Sequence, residues 1–222
     1  MVRQVDFINY LSLLATPACF ASHVVHRDME DLIALHEVGN YSLGRVVDLM
    51  FGGGICHFLP NSTYPSCRRD NIDVFKIAES IGWNIKTGLE SFRALDVENA
   101  PLPLMNLFAA DHMNFEIDRN PAEQPHLKEM TAKALDILSH ATKNSDKGFF
   151  IMIEGSRIDM AAHNNDPAAH VRDIFAYQET IEYVKSFVAS RDDTVMISVS
   201  DHETGGLSVA VQLNETYPVY MW

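Results

Sequence analysis

Five consecutive apolar residues, Phe149 to Ile153, follow Asp146-Lys147-Gly148 and run directly into Glu154. Such a run reads as a strand buried on both faces, which requires a sheet with helices covering each side. Asp159 and His163 come next, four residues apart; on a helix beginning near Asp159 they share one face, one turn apart. Thr194 to Val199 repeats the pattern, with Val195, Ile197 and Val199 alternating as a strand that delivers Asp201-His202 and then Thr204-Gly205-Gly206. Open α/β sheets place their sites outside the carboxyl ends of their strands. Taken singly, these pieces are ordinary, since a Glu at a strand end is usually a solvated charge and an Asp-x-x-x-His pair usually lies on a surface. An Asp-His dipeptide closing a buried strand is less so, because neither side chain is stable there without a partner. Together Glu154, Asp159, His163, Asp201 and His202 offer oxygens and imidazoles with no cysteine among them. That set suits zinc held by Asp and His, with a harder cation near Glu154.

Strands and helices alternate along the chain, which predicts a parallel sheet with helices on both faces. Thr16 opens a helix with Pro17 in its first turn, its hydroxyl placed to cap or to ligate. Val46 to Phe51 reads as a short strand ending in Gly52-Gly53-Gly54; no Gly-Lys-Ser or Gly-Lys-Thr follows, so the glycines read as a tight turn rather than a phosphate loop. A helix over Ile72 to Gly82 precedes strands at Trp83-Asn84-Ile85 and at Pro103 to Phe108. Pro125 to Lys143 is an amphipathic helix, apolar at Leu127, Met130, Ala134, Ile137, Leu138 and Ala141. Asp166-Pro167 starts another by cap and proline logic, with Val171, Ile174, Phe175, Ile181, Val184 and Val188 on its buried side. His112, His126 and His170 read as solvated or structural.

With 222 residues and 47% hydrophobic content, the chain can bury the core of one domain. Its 17 basic and 30 acidic residues leave a net charge of -13. That balance argues against nucleic acid or an anionic membrane as partner, since both select clusters of Lys and Arg. An acidic protein that handles phosphate gathers positive charge locally, and bound metal ions do this. Met1 to Leu14 resembles a short signal sequence in carrying Arg3 ahead of Leu11 to Ala15, but Asp6 and Asn9 interrupt it. No run reaches the length that spans a bilayer, so no membrane anchor is read in this chain. Three cysteines, Cys19, Cys56 and Cys67, make no disulfide framework; Cys56 and Cys67 flank a loop, and whether they pair is open. Sequons begin at Asn40, Asn61 and Asn214, which favours a secretory route and a glycoprotein.

The words IEGSRIDMAAH (Ile153 to His163), SDHETGG (Ser200 to Gly206), ATPACFASHVVHR (Ala15 to Arg27) and LFAADHMNFEIDRN (Leu107 to Asn120) resemble the alkaline phosphatase family, and within it the fungal, vacuolar-type members. The resemblance implies an α/β three-layer sandwich, mostly parallel and here incomplete. Residues 1–14 form a non-matching segment and 15–222 a partial catalytic domain, truncated at both ends. It implies hydrolysis of phosphate monoesters with zinc and magnesium. By position Asp159 and His163 then belong to a first zinc, Asp201 and His202 to a second, and Glu154 and Thr16 to magnesium. Arg27 matches the family's phosphate clamp, a planar guanidinium that grips two phosphate oxygens at once; without the resemblance it reads as a surface residue. Leu14 departs from the Asp or His usual there. The family's nucleophilic Ser, a bridging Asp upstream and a late His on the first zinc have no counterpart, so the implied hydrolysis is impaired. The alternative is a catalytically inactive metal-binding fragment or scaffold. A metallohydrolase acting on diesters or sulfates is a third reading, disfavoured by SDHETGG and IEGSRID. Members of the family pair as homodimers, and its fungal branch implies a vacuolar or secretory location.

Overall fold

The computed structural model describes residues 5–9 and 16–205, and only the backbone of residues 5–9 and of Thr16. Leu14, Gly206, the Asn214 sequon and Leu213 to Trp222 lie outside the described residues. Strands β1 (Val5–Asn9), β2 (Val47–Gly52), β3 (Asn84–Thr87), β4 (Leu104–Leu107) and β5 (Phe150–Glu154) form one sheet in the order β3-β4-β2-β1-β5. Every neighbouring pair is parallel. Parallel pairing demands long crossovers. These contain α1 (Glu30–Glu37) between β1 and β2, α2 (Val74–Ser80) and α3 (Gly88–Arg93) on either side of β3, and α4 (Leu127–Thr142) ahead of β5. Two more helices, α5 (Arg157–His163) and α6 (Pro167–Ala189), follow β5. The strand from residues 1–14 was not foreseen: β1 lies inside the sheet, with β2 on one side and β5 on the other.

Alternation along the strands sends side chains into two cores, one on each face. Met105 and Leu107 of β4 join Ala18, Ile33, Val38, Val74 and Trp83 beneath α1 and α2. Leu104 packs on the other face with Phe92, Leu127, Met130, Ile137 and Leu138 under α3 and α4. In β2 the alternation slips once. Val5 pairs with Val47 and Asp6 with Leu49, so Asp48 is an extra residue, a bulge that puts Val47 and Met50 in the same core. Arg45 holds the Asp48 carboxylate at 2.6 Å. These two cores make the fold the three-layer α/β sandwich the alternation calls for. Helix α4 buries the expected Leu127, Met130, Ala134, Ile137 and Leu138, with Thr131 and Leu135 besides, while Ala141 stays exposed.

Three expectations are corrected. Thr194 to Val199 is not a strand: Val195, Ile197 and Val199 are 87%, 84% and 78% exposed, and the segment is joined to α6 by Ser198 and Tyr177, whose hydroxyls lie 3.0 Å apart. β-Branched alternation marks a strand-forming tendency, but a strand exists only where an edge pairs with it. As a result β5 pairs on one side only among the described residues and is mostly half-buried rather than buried on both faces. Helix α6 also turns a different face inward than expected. Ala169, Asp173, Ala176 and Thr180 are its buried residues, whereas Val171 and Phe175 are exposed, because its contacts with α4 and α5 run along small side chains. No helix among the described residues is long and apolar enough to cross a membrane.

Candidate metal centre

The carboxyl end of β5 delivers Glu154 opposite Asn9 of β1. The chain then turns at Gly155, where a Cβ would come 2.9 Å from Tyr177 Cδ2 of α6, too close for any larger residue without displacing the ring. Gly155→Ala is accordingly expected to destabilise the protein by about 1–3 kcal/mol, the usual cost of overpacking; a urea titration reads it, and an unchanged midpoint would mean that Tyr177 yields freely. Beyond the turn, α5 places Asp159 and His163 on one face, as their spacing requires, with His163 Nε2 3.2 Å from Asp159 Oδ1.

After α6 the chain returns with Asp201 and His202. His202 Nε2 lies 3.2 Å from Asp159 Oδ1 and 3.4 Å from Asp201 Oδ2, so the two carboxylate oxygens are at most 6.6 Å apart, the sum of those distances. The His163 and His202 rings stand 5.1 Å apart. Ligand atoms of Asp159, His163 and His202 all lie within 4.8 Å of one another. Asp159 Oδ1 is buried and has no hydrogen-bond partner although two ring nitrogens face it. An acceptor left in that state is costly, and a cation shared by the three side chains would relieve it. The donor set fits zinc on this count. One contact opposes it. Thr204 N–H donates to His202 Nδ1 at 2.9 Å, which leaves the ring proton on Nε2; ligation through Nε2 requires Thr204 to let go.

The remaining predicted residues are placed as follows. Glu154 is half-buried at the strand end and is not one of the three clustered residues. Thr16 opens a short 3-10 turn, Thr16–Phe20, whose Phe20 ring packs 5.3 Å from Phe150 at the start of β5. Arg27 is exposed in the turn that leads into α1, closed by Met29 N–H on the His26 carbonyl at 3.1 Å.

Two residues, one on α5 and one on α6, escaped the sequence reading. The Arg157 guanidinium lies 3.6 Å over the Phe115 ring and donates to Met160 Sδ at 3.0 Å, while its buried Nε has no acceptor. Burial lowers its pKa from the ordinary arginine value. Asp173 of α6, 6% exposed, accepts from Glu116 N–H at 3.2 Å, and burial pushes its carboxyl up to about 6. Phe115 and Glu116 are adjacent, so α5 and α6 hold the same loop. Asp173 is spaced four residues from Ala169 on the small-residue stripe of α6, the one signal that it faces inward.

A family model of the alkaline phosphatases matches residues 13–220. An alkaline phosphatase of Schizosaccharomyces pombe is 50% identical over 210 residues, covering 94% of this chain and 39% of its own length. The repressible alkaline phosphatase of Saccharomyces cerevisiae is 47% identical over 221 residues, with the same 94% and 39% shares. The chain thus spans about two-fifths of the length of these curated relatives. Among solved structures, the alkaline phosphatase of Thermus thermophilus is similar at 28% identity and a TM-score of 0.71, over 86% of this chain and 37% of that one. A mutant TAB5 alkaline phosphatase with Mg bound in its M3 site is similar at 25% identity and a TM-score of 0.66, over 85% and 49%. With a match that takes in Asp159, His163, Asp201 and His202 and every strand but β1, the chain belongs to the alkaline phosphatase family.

Proposed function

We propose that this chain carries metal-holding residues of a phosphomonoesterase site, with Asp159, His163, Asp201 and His202 as zinc ligands and Glu154 and Thr16 on magnesium. The observation that carries the reading is the buried Asp159 Oδ1, without a hydrogen-bond partner and 3.2 Å from each of two imidazole nitrogens. Held there, a zinc ion would supply Lewis-acid chemistry, the lowering of a hydroxyl or water pKa and the stabilisation of alkoxide charge. The side chains do the rest: the carboxylates hold the cation, the imidazoles fix its position, and Arg27 grips phosphate oxygens from the turn before α1. The substrate is a phosphate monoester. Two copies pair as a homodimer, as the family resemblance implies. A vacuolar or secretory location is supported by the Cys56–Cys67 disulfide and by exposed Asn40 and Asn61, each heading a sequon.

The 222-residue chain on its own is expected to turn over phosphate monoesters poorly. The reading rests on the family resemblance, in which the matched words do not include the nucleophilic Ser that splits one hard displacement into two easier ones. Hydrolysis of a simple aryl phosphate at alkaline pH, with zinc and magnesium added and Asp201→Ala as control, measures this. Robust turnover abolished by the Asp201 substitution would overturn the impaired reading; zinc binding without turnover is the result expected.

A further inference from the structure

Past the carboxyl end of β2, His57 ends a short 3-10 turn, Ile55–His57, and is only 3% exposed. Its Nδ1 has no hydrogen-bond partner and points toward Glu30 Oε2, 3.6 Å away at the start of α1. On the other side of the ring, Nε2 lies 3.9 Å from Asp111 Oδ1, and the Asp111 carbonyl is fixed by Gly54 N–H at 2.7 Å. The neighbourhood is short of positive charge. Burial raises the Glu30 pKa, and Asp111, Asp28 and Asp31 raise it further, against Arg69 alone. The nearest cation is the buried Arg68, whose Nη1 donates to the His57 carbonyl at 2.9 Å while its guanidinium is paired at 2.8 Å with both oxygens of Asp70. Cys56 and Cys67 lie beside the ring, but they are joined to each other and offer no thiolate.

We propose that His57 Nδ1 and Glu30 form a second cation site, for a divalent ion of the zinc class, with Asp111 as the carboxylate that orients the ring from Nε2. Two ligands of a tetrahedral zinc at about 2.0–2.1 Å stand roughly 3.4 Å apart, close to the observed nitrogen-to-oxygen separation. A ligating imidazole usually donates its other N–H to a carboxylate; Asp111 Oδ1, 3.9 Å from Nε2, is the carboxylate in position to close onto it when the ion binds. Burial holds the His57 pKa below the ordinary value, so the ring is neutral at neutral pH, the form that ligates. Water fills the remaining positions, which makes this site weaker than one with three protein ligands. It does not depend on the reading of the Asp159 centre.

The test is a zinc titration of the whole 222-residue chain without reductant, followed by side-chain nitrogen spectra of its ten histidines. His57 Nδ1 is expected to shift on zinc addition. Glu30→Gln should raise the zinc concentration at half-shift at least tenfold, and Asp111→Asn by about 10–100-fold, the usual weight of an orienting carboxylate. The His163 response should stay unchanged in both. In Asp159→Ala the His57 response should persist, so the two sites succeed or fail separately. A His57 resonance indifferent to zinc, or an equal midpoint in Glu30→Gln, would overturn the proposal.

Discussion

Replacing Asp159 by alanine is expected to weaken zinc binding at the β5 centre by at least about a hundredfold, since losing even an outer-shell partner commonly costs 10–100-fold and Asp159 is an inner one. Its Oδ1 is the atom on which both rings converge, 3.2 Å from His163 Nε2 and from His202 Nε2. Alanine leaves the imidazoles facing each other with no negative charge between them, and Asp201 reaches only His202. The fold should survive, because the Asp159 side chain is 38% exposed and the substitution removes a buried oxygen that no donor satisfies. Calorimetric titration of zinc into the two proteins, with circular dichroism to verify the fold, measures the effect. Equal affinities would mean that zinc binds elsewhere.

Asp173→Asn is expected to stabilise the protein at neutral pH. Burial lifts this carboxyl from its ordinary 3.8 to about 6, so between those values the folded chain holds a proton that the unfolded chain has released, and at neutral pH the folded chain carries a buried, unfavourable carboxylate. Stability is therefore highest below the ordinary value, falls as pH rises through the window from about 4 to about 6, and above it carries a penalty of about 3 kcal/mol. Asparagine keeps a carbonyl oxygen for Glu116 N–H without the charge. The variant should melt roughly 6–12 °C above the parent at pH 8, given about 2–4 °C per kcal/mol for a chain of this size, and the gap should nearly close at pH 4. A variant less stable than the parent at pH 8 would show that Arg157 favours the carboxylate by more than burial disfavours it.

Much of this was legible in the residues, for local reasons. The Asp159 and His163 pairing follows from helical spacing alone, and Asp166 does cap α6, its Oδ1 accepting from Ala168 and Ala169 N–H at 3.0 Å each. The parallel sheet with helices on both faces follows from the alternation of strands and helices along the chain. What failed depends on partners that no local pattern reveals. Val195, Ile197 and Val199 have strand character and no paired edge. Val171 and Phe175 of α6 are apolar yet exposed, because packing on α4 and α5 selected the small-residue stripe instead. The convergence of Glu30, His57 and Asp111 joins residues from three separate crossovers, and Arg157 and Asp173 meet one loop from two helices; spacing within a segment carries neither.

Because Asp159, His163 and His202 cluster most tightly, the first zinc ion to bind is expected to be held by these three rather than by Asp159 and His163 alone. Recording side-chain nitrogen spectra of the histidines during the first equivalent of zinc tests it directly. His163 and His202 should both move, with the response at Nε2, and the Thr204 amide should shift as it releases His202 Nδ1. A first equivalent that leaves both rings unmoved, or moves only histidines outside this cluster, would contradict the account.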